Sequence, residues 1–197
     1  GWQVVLCGGR SELERSFALA FDDSVHVLTL YASHDEAISA LREHALRTAL
    51  PANEPALHLD VRFTGSVDAI RALNEGRCIL AGFHTLLDCG RHSRTERAYK
   101  ALLQPGQHKI IGFAERTQGL MVARGNPLGL HTLHDLSTRQ ARFANRALGT
   151  GTRVVLDELL ERAGLPPEAI AGFDRCEPSH AAVAQAVAFG QCDAGLG

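Results

Sequence analysis

The chain reads as an α/β protein, and two observations predict it. Short apolar runs alternate with amphipathic stretches of helical spacing along most of the 197 residues, which implies a mainly parallel sheet with right-handed crossovers. In addition, helices open from short Gly/Ser/Thr loops directly after strands at Ser11, at Ser66 and at Thr150–Arg153, and a fourth starts at Ser179-His180. In an open parallel sheet such loops cluster at the carboxyl edge of the strands, where ligands sit. Four in one chain favour a site that grips a small anion between two lobes.

Taken in order, Trp2–Cys7 reads as a buried strand and Gly8-Gly9-Arg10-Ser11 as the turn into a helix over Glu12–Ala20. Ser11 and Glu14 have the spacing of a capping box. Ser24–Tyr31 is a second strand. Ser33–Leu50 is a longer helix, with Ala37, Ile38, Leu41, Ala45 and Leu46 on one face. Pro51–Pro55 breaks the chain, His58–Phe63 alternates like a strand, and Thr64-Gly65-Ser66 opens a helix over Val67–Asn74. Gly76 stops that helix before a strand over Cys78–Phe83. A polar loop then leads to a short helix, Glu96–Leu103, and a strand, His108–Ala114.

The apolar run Thr117–Arg124 ends at the turn Gly125-Asn126-Pro127, and His134-Asp135-Leu136 reads as a turn. A short strand beginning at Phe143 passes through Gly149-Thr150-Gly151-Thr152-Arg153 into a helix. The apolar positions of that helix are Val154, Val155, Leu159 and Leu160. Ile170–Arg175 reads as a short strand, Ser179–Phe189 as a helix, and Cys192–Leu196 as a last strand.

The Gly-Thr-Gly-Thr-Arg loop carries the chemistry. A strand feeding such a loop aims backbone N–H groups, hydroxyls and the positive end of a helix dipole at one point. Arg146 and Arg153 flank it and can add fork-shaped donors. The spacing fits an anion site and a plain tight turn with a Thr N-cap equally well. It matches neither the Walker loop nor the dinucleotide-binding glycine pattern.

Composition bounds the function. A net charge of −2 and a pI near 6.6 provide no basic field for nucleic acid. No run approaches the roughly 18 apolar residues that a bilayer span needs. The five cysteines, Cys7, Cys78, Cys89, Cys176 and Cys192, are odd in number and widely spaced, which fits reduced thiols and a cytoplasmic location. His84, Asp88 and His92, like His131 and His134, lack zinc-site spacing, so no metal is expected. Catalysis has little support, since neither a nucleophile elbow nor a recognisable cysteine nucleophile is present. No cofactor is expected beyond a bound oxyanion.

Several stretches, in order, resemble a known family. They are Gly65-Ser66, Ala81-Gly82-Phe83-His84, Arg116-Thr117-Gln118-Gly119-Leu120, Gly125-Asn126-Pro127, Asn145-Arg146, Gly149-x-Gly151-Thr152-Arg153, His180-x-x-Val183-Ala184 and Gly190-x-x-Asp193-x-Gly195-Leu196-Gly197. The chain is similar to the type II periplasmic-binding-protein-like domain found fused to helix-turn-helix regulators and molybdopterin-biosynthesis proteins. That group is related to molybdate- and tungstate-binding proteins. The match runs from Gly65 onward and is weaker before it.

The resemblance implies two α/β lobes with mainly parallel sheets and a ligand cleft between them. Lobe one would cover residues 1–114, a crossover 115–124, and lobe two 125–197, trimmed at its C-terminus. The ligand-binding residues it implies are Ser11, Gly65, Ser66, His84, Arg146, Thr150, Gly151, Thr152, Arg153, Ser179 and His180. Each hydroxyl among them also suits an N-cap, Arg153 suits a brace through Asp157, and His84 suits a hydrogen-bonded core histidine.

The expected function is a non-enzymatic sensor domain of a transcriptional regulator that captures molybdate or tungstate. The alternatives are an effector domain for an organic carboxylate or pterin-like molecule, and an accessory domain in molybdenum-cofactor biosynthesis. The expected partners are a small anion, a helix-turn-helix DNA-binding domain outside this chain, and a second copy of the chain as a homodimer, with no membrane.

Overall fold

A computed structural model describes residues 2–6, 25–47 and 56–197. Ser11 with its capping box, the helix expected over Glu12–Ala20, Cys7 and the Pro51–Pro55 break lie outside the described residues. The chain divides into two compact units. One is Gly1–His84 with Tyr99–Ala114; the other is Thr85–Ala98 with Glu115–Gly197. The stretch 85–98, counted with lobe one from sequence, therefore packs with the second unit.

The first unit holds a five-stranded sheet in the order β3-β2-β4-β1-β5. Its strands are β1 (Trp2–Leu6), β2 (Val25–Ala32), β3 (Ala56–Phe63), β4 (Leu80–His84) and β5 (Lys109–Ala114). β2 runs parallel to β3 over its whole length and parallel to β4. β1 runs antiparallel to both β4 and β5, so the sheet is mixed at that side. Helix α1 (Glu36–Arg47) starts three residues later than the sequence predicts, because the Asp35 carboxylate accepts from the Ala37 N–H at 2.7 Å and caps it.

Helix α2 (Ser66–Asn74) buries Ala69, Ile70, Ala72 and Leu73. Leu30, Ala32, Ile38 and Leu80 form a buried cluster beside it. Tyr99 packs its ring 4.8 Å from that of Phe83 and donates its hydroxyl to the His84 carbonyl. It lies in helix α3 (Arg94–Lys100), whose first turn belongs to the second unit.

The second unit holds a four-stranded sheet in the order β6-β9-β7-β8. Its strands are β6 (Leu120–Val122), β7 (Phe143–Arg146), β8 (Cys176–Glu177) and β9 (Ala194–Leu196). β7 is parallel to β8 and β9, and β6 is antiparallel to β9. Helix α5 (Gly151–Ala163) follows β7 and helix α6 (His180–Ala188) follows β8. Phe143, Leu136, Leu156 and Leu160 anchor the main core, and Ala144, Val183, Ala186, Val187 and Cys192 form a second cluster under α6.

Two sequence readings are corrected here. His134-Asp135-Leu136 lies not in a turn but in helix α4 (Leu133–Thr138), started by a capping box between Thr132 and Asp135. The strand expected over Ile170–Arg175 is absent. Gly172 there adopts φ +80°, and an added Cβ would lie 2.7 Å from the Phe143 carbonyl oxygen. The chain turns at that point, and β8 forms only from Cys176. The fold also buries one acidic side chain of α5, that of Glu158. It is 5% exposed and is taken up by Arg162 at 3.0 Å and the Thr95 N–H at 3.2 Å.

Candidate functional site

Topology decides which residues of the second unit meet. Because β7 and β8 are parallel, their carboxyl ends place Arg146, the start of α5 and the start of α6 along one edge. Because β6 is antiparallel to β9, the residues before it return to that same edge. Reciprocal hydrogen bonds between the Gly119 and Gly197 backbones, at 2.9 and 3.1 Å, fasten them there. Gly197 lies close against Met121 and His180, since an added Cβ would come 2.5 Å from Met121 Cε and 3.2 Å from His180 Nδ1 and displace the Met121 side chain.

Two side chains at this edge converge on Thr152. Thr152 is 3% exposed, and its Oγ1 lies 3.3 Å from Gln118 Nε2 and 3.3 Å from His180 Nε2. Two residues before His180, the Pro178 carbonyl accepts from Arg146 Nη2 at 3.1 Å. Two residues before Gln118 is Arg116, whose positive charge acts on Arg146. Arg146 is half-buried; among the described residues its Nε is buried with no hydrogen-bond partner, and no carboxylate pairs with it. Burial first, and then the charge of Arg116, lower the Arg146 guanidinium from its ordinary value. The Arg116 charge thus acts on Arg146 at the end of β7, the strand that leads into α5, whose first N–H groups have no partner within the helix. All of these groups attract or donate to negative charge.

Each hydroxyl picked out from sequence has a definite place. Thr150 is the N-cap of α5: its Oγ1 accepts from the Arg153 N–H at 3.3 Å and donates to the Ala147 carbonyl at 2.8 Å. Ser179 is the N-cap of α6, accepting from Ala182 N–H at 3.0 Å. Both are therefore occupied as caps. Gly151 is the first residue of α5 and is buried. Arg153 is a brace. Its Nε pairs with Asp157 at 2.9 Å and its Cζ lies 4.2 Å from the Phe173 ring centroid, so the guanidinium is held within the unit.

In the first unit, Gly65 and not Ser66 is the N-cap of α2, with no side-chain cap bond. Ser66 is fully buried, and its hydroxyl lies 3.5 Å from that of Ser33, just past β2. The carboxyl ends of β2 and β3 meet there, with Thr64 N–H donating to the Ala32 carbonyl at 2.8 Å. His84 ends β4 and is 3% exposed.

Sequence reasoning singled out neither Arg116 nor Gln118, which the fold brings to this edge, nor Ser33, which lies against Ser66. Arg116 and Gln118 stood in a stretch carrying the family resemblance, and only the antiparallel return of β6 reveals what they face. Ser33 was absorbed into a helix prediction.

Residues 47–197 match the family profile described as the PBP superfamily domain. The chain belongs to the PBP superfamily. Both of its units are α/β, as the fold class read from the sequence expects.

Among curated proteins, this PBP-superfamily chain is similar to the uncharacterized protein YvgK of Bacillus subtilis (strain 168). The two are 32% identical over 136 residues, covering 69% of this chain and 44% of YvgK. The chain thus spans less than half the length of that relative. Among solved structures it is similar to the PA01 protein of Pseudomonas aeruginosa, described as a LysR family transcriptional regulator. That match has a TM-score of 0.47 and 15% identity, covering 94% of this chain and 57% of the other. It is also similar to a domain from Clostridium difficile, described as the substrate-binding domain of a molybdenum ABC transporter. Here the TM-score is 0.40 and the identity 17%, with 88% and 71% covered.

Proposed function

We propose that this domain captures a small oxyanion, molybdate or tungstate being the leading candidates, at the carboxyl edge of the second unit's sheet. A half-buried Arg146 without a carboxylate, set beside the charge of Arg116 and the N-terminus of α5, carries this reading. Placing like charges together costs stability unless an anion offsets them. A dianion there would be met by guanidinium forks, backbone N–H groups and the Thr152 hydroxyl. The domain would then act as the ligand sensor of a larger regulator. Binding would shift a conformational equilibrium and pass it to a helix-turn-helix domain outside this chain. That regulatory role rests on the sequence resemblance.

The half-buried Arg146 guanidinium also favours a second reading, an organic carboxylate, because its planar fork matches a planar carboxylate. Calorimetric titration of the chain with molybdate, tungstate, sulfate and phosphate separates the two. Saturable heat with one of the oxyanions supports the first reading. No heat with any of the four removes it, and native mass spectrometry of the purified protein then identifies a co-purified carboxylate.

A further inference from the structure

In the first unit, the turn that precedes β5 is closed by a titratable ring. Gly106 adopts φ +85°, and the Gln107 and His108 N–H groups both donate to the Gln104 carbonyl, at 3.1 and 2.9 Å. The imidazole closes the turn from the other side, since the Gln104 N–H donates to His108 Nδ1 at 3.1 Å. The same glutamine ties the turn to the last residue of α2. Gln104 Nε2 donates to Asn74 Oδ1 at 3.1 Å, and Asn74 Nδ2 donates to the Leu102 carbonyl at 2.9 Å. An imidazole nitrogen accepts only while it carries no proton. With Nδ1 as the acceptor, the neutral His108 ring holds its proton on Nε2. A proton added to Nδ1 would point at the Gln104 N–H, donor against donor.

We propose that His108 is a proton-operated clasp: its neutral ring holds the turn 104–108 shut against the end of α2, and protonation opens it. The charged groups on the surrounding elements are few. At the end of α2, Arg71 pairs with Asp68 at 3.2 Å and Arg77 with Glu75 at 2.6 Å. Lys100 ends α3, Lys109 begins β5, and β1 beside β5 carries no charged residue. None of these sets the proton affinity of His108, which burial alone lowers from the ordinary histidine value. The unfolded ring takes up its proton near pH ~6.5 and the folded ring at lower pH, so between those values the unfolded chain binds more protons. The stability held by the neutral ring is therefore present above about pH 6.5 and is lost as the pH falls from there toward the folded value. Gly65 and Ser66 open α2; acid loosens that helix at its opposite end. The clasp needs no anion and acts whether or not the second unit binds one.

Nitrogen-15 spectra of the histidine rings from pH 8 to pH 5, with the His108 signals assigned by their loss in His108→Asn, read the tautomer and the midpoint. The expected result is Nε2–H at pH 8 and a midpoint below about 6.5. Amide hydrogen exchange, corrected for its intrinsic pH dependence, reads the clasp itself. Protection of the Gln104 N–H falls roughly 10-fold between pH 8 and pH 5, while the amides of β2 and β3 keep theirs. In His108→Asn the side-chain oxygen accepts the Gln104 N–H at every pH, and protection no longer responds to acid. His108→Ala, which removes the acceptor, shows the low protection at both pH values and serves if the asparagine variant does not fold. An Nδ1–H tautomer at pH 8, a midpoint at or above about 6.5, or equal protection of Gln104 at pH 8 and pH 5 overturns the inference.

Discussion

Arg146, at the end of β7, lies within reach of the positive charge of Arg116. After burial, the charge of Arg116 is what lowers the Arg146 guanidinium from its ordinary value. In the proposed reading, the cost of this like charge is offset by the bound anion. Affinity and stability therefore pull in opposite directions at this position.

Replacing Arg146 by Met exposes that opposition. Oxyanion affinity falls by about 10- to 100-fold, the equivalent of losing a charged hydrogen bond worth about 1.5–3 kcal/mol. The thermal midpoint stays level or rises, because a desolvated like charge is gone. Calorimetry and thermal melts on one preparation read both effects. A drop in stability matching the drop in affinity would make Arg146 a structural residue only.

Arg153 is expected to behave in the reverse way. Its ion pair with Asp157 and its position over Phe173 hold the first turn of α5 against the core. Arg153→Met loses both and destabilises the chain by about 1–2 kcal/mol, a fall of roughly 2–8 °C in midpoint. Its anion affinity at 25 °C changes less than that of Arg146→Met. Urea unfolding and calorimetry compare the two variants.

These two arginines show what was legible in the chain. Both flank the Gly-Thr-Gly loop, and spacing alone gave them equal standing; i,i+4 geometry made Asp157 a visible partner for Arg153, whereas the neighbour of Arg146 lies thirty residues earlier, just before β6. Local signals were dependable where the chemistry is local. The N-caps at Thr150 and Ser179 and the C-cap Gly164, at φ +64°, follow from a few consecutive residues. The antiparallel course of β6, which brings Gln118 to Thr152, is set by pairing with β9 across more than seventy residues and leaves no short-range trace. Glu158 escaped for the same reason, since its Thr95 partner lies 63 residues away.

Gly195 sets how closely α6 approaches the sheet. A Cβ there would stand 2.1 Å from Val183 Cγ1 and 3.1 Å from the Ala144 carbonyl oxygen. Gly195→Ala therefore costs about 1–3 kcal/mol through overpacking and displaces the helix that carries His180. Adding Val183→Ala makes room and recovers part of the loss. A double-mutant cycle by urea unfolding measures the coupling, and simple additivity of the two changes would contradict the close approach.

Asp193 gives a pH signature. Its Oδ1 receives Arg142 Nη2 at 2.7 Å, and its Oδ2 receives Arg142 Nε at 3.0 Å and the Arg142 N–H at 2.8 Å. The Arg142 hydrogen bond lowers its carboxyl below the usual value, against the opposing effect of burial. A depressed carboxyl stabilises the fold fully above its unfolded value of about 3.9 and loses that contribution as the pH falls through the lower folded value. Asp193→Asn is expected to cost about 1 kcal/mol at pH 7 and to narrow the gap from wild type as the pH falls from 5 to 3. Urea midpoints at pH 7, 5 and 3 check it. A gap that stays constant over that range would mean the ion pair contributes nothing.

Where the anion sits is the decisive question, and diffraction from crystals soaked in tungstate answers it most directly. An anomalous tungsten peak is expected in the second unit, within reach of Arg146, Thr152 and the first N–H groups of α5. Full occupancy elsewhere with that edge empty, or no bound tungsten in crystals whose calorimetric samples take up another class of ligand, would contradict an anion site at this edge.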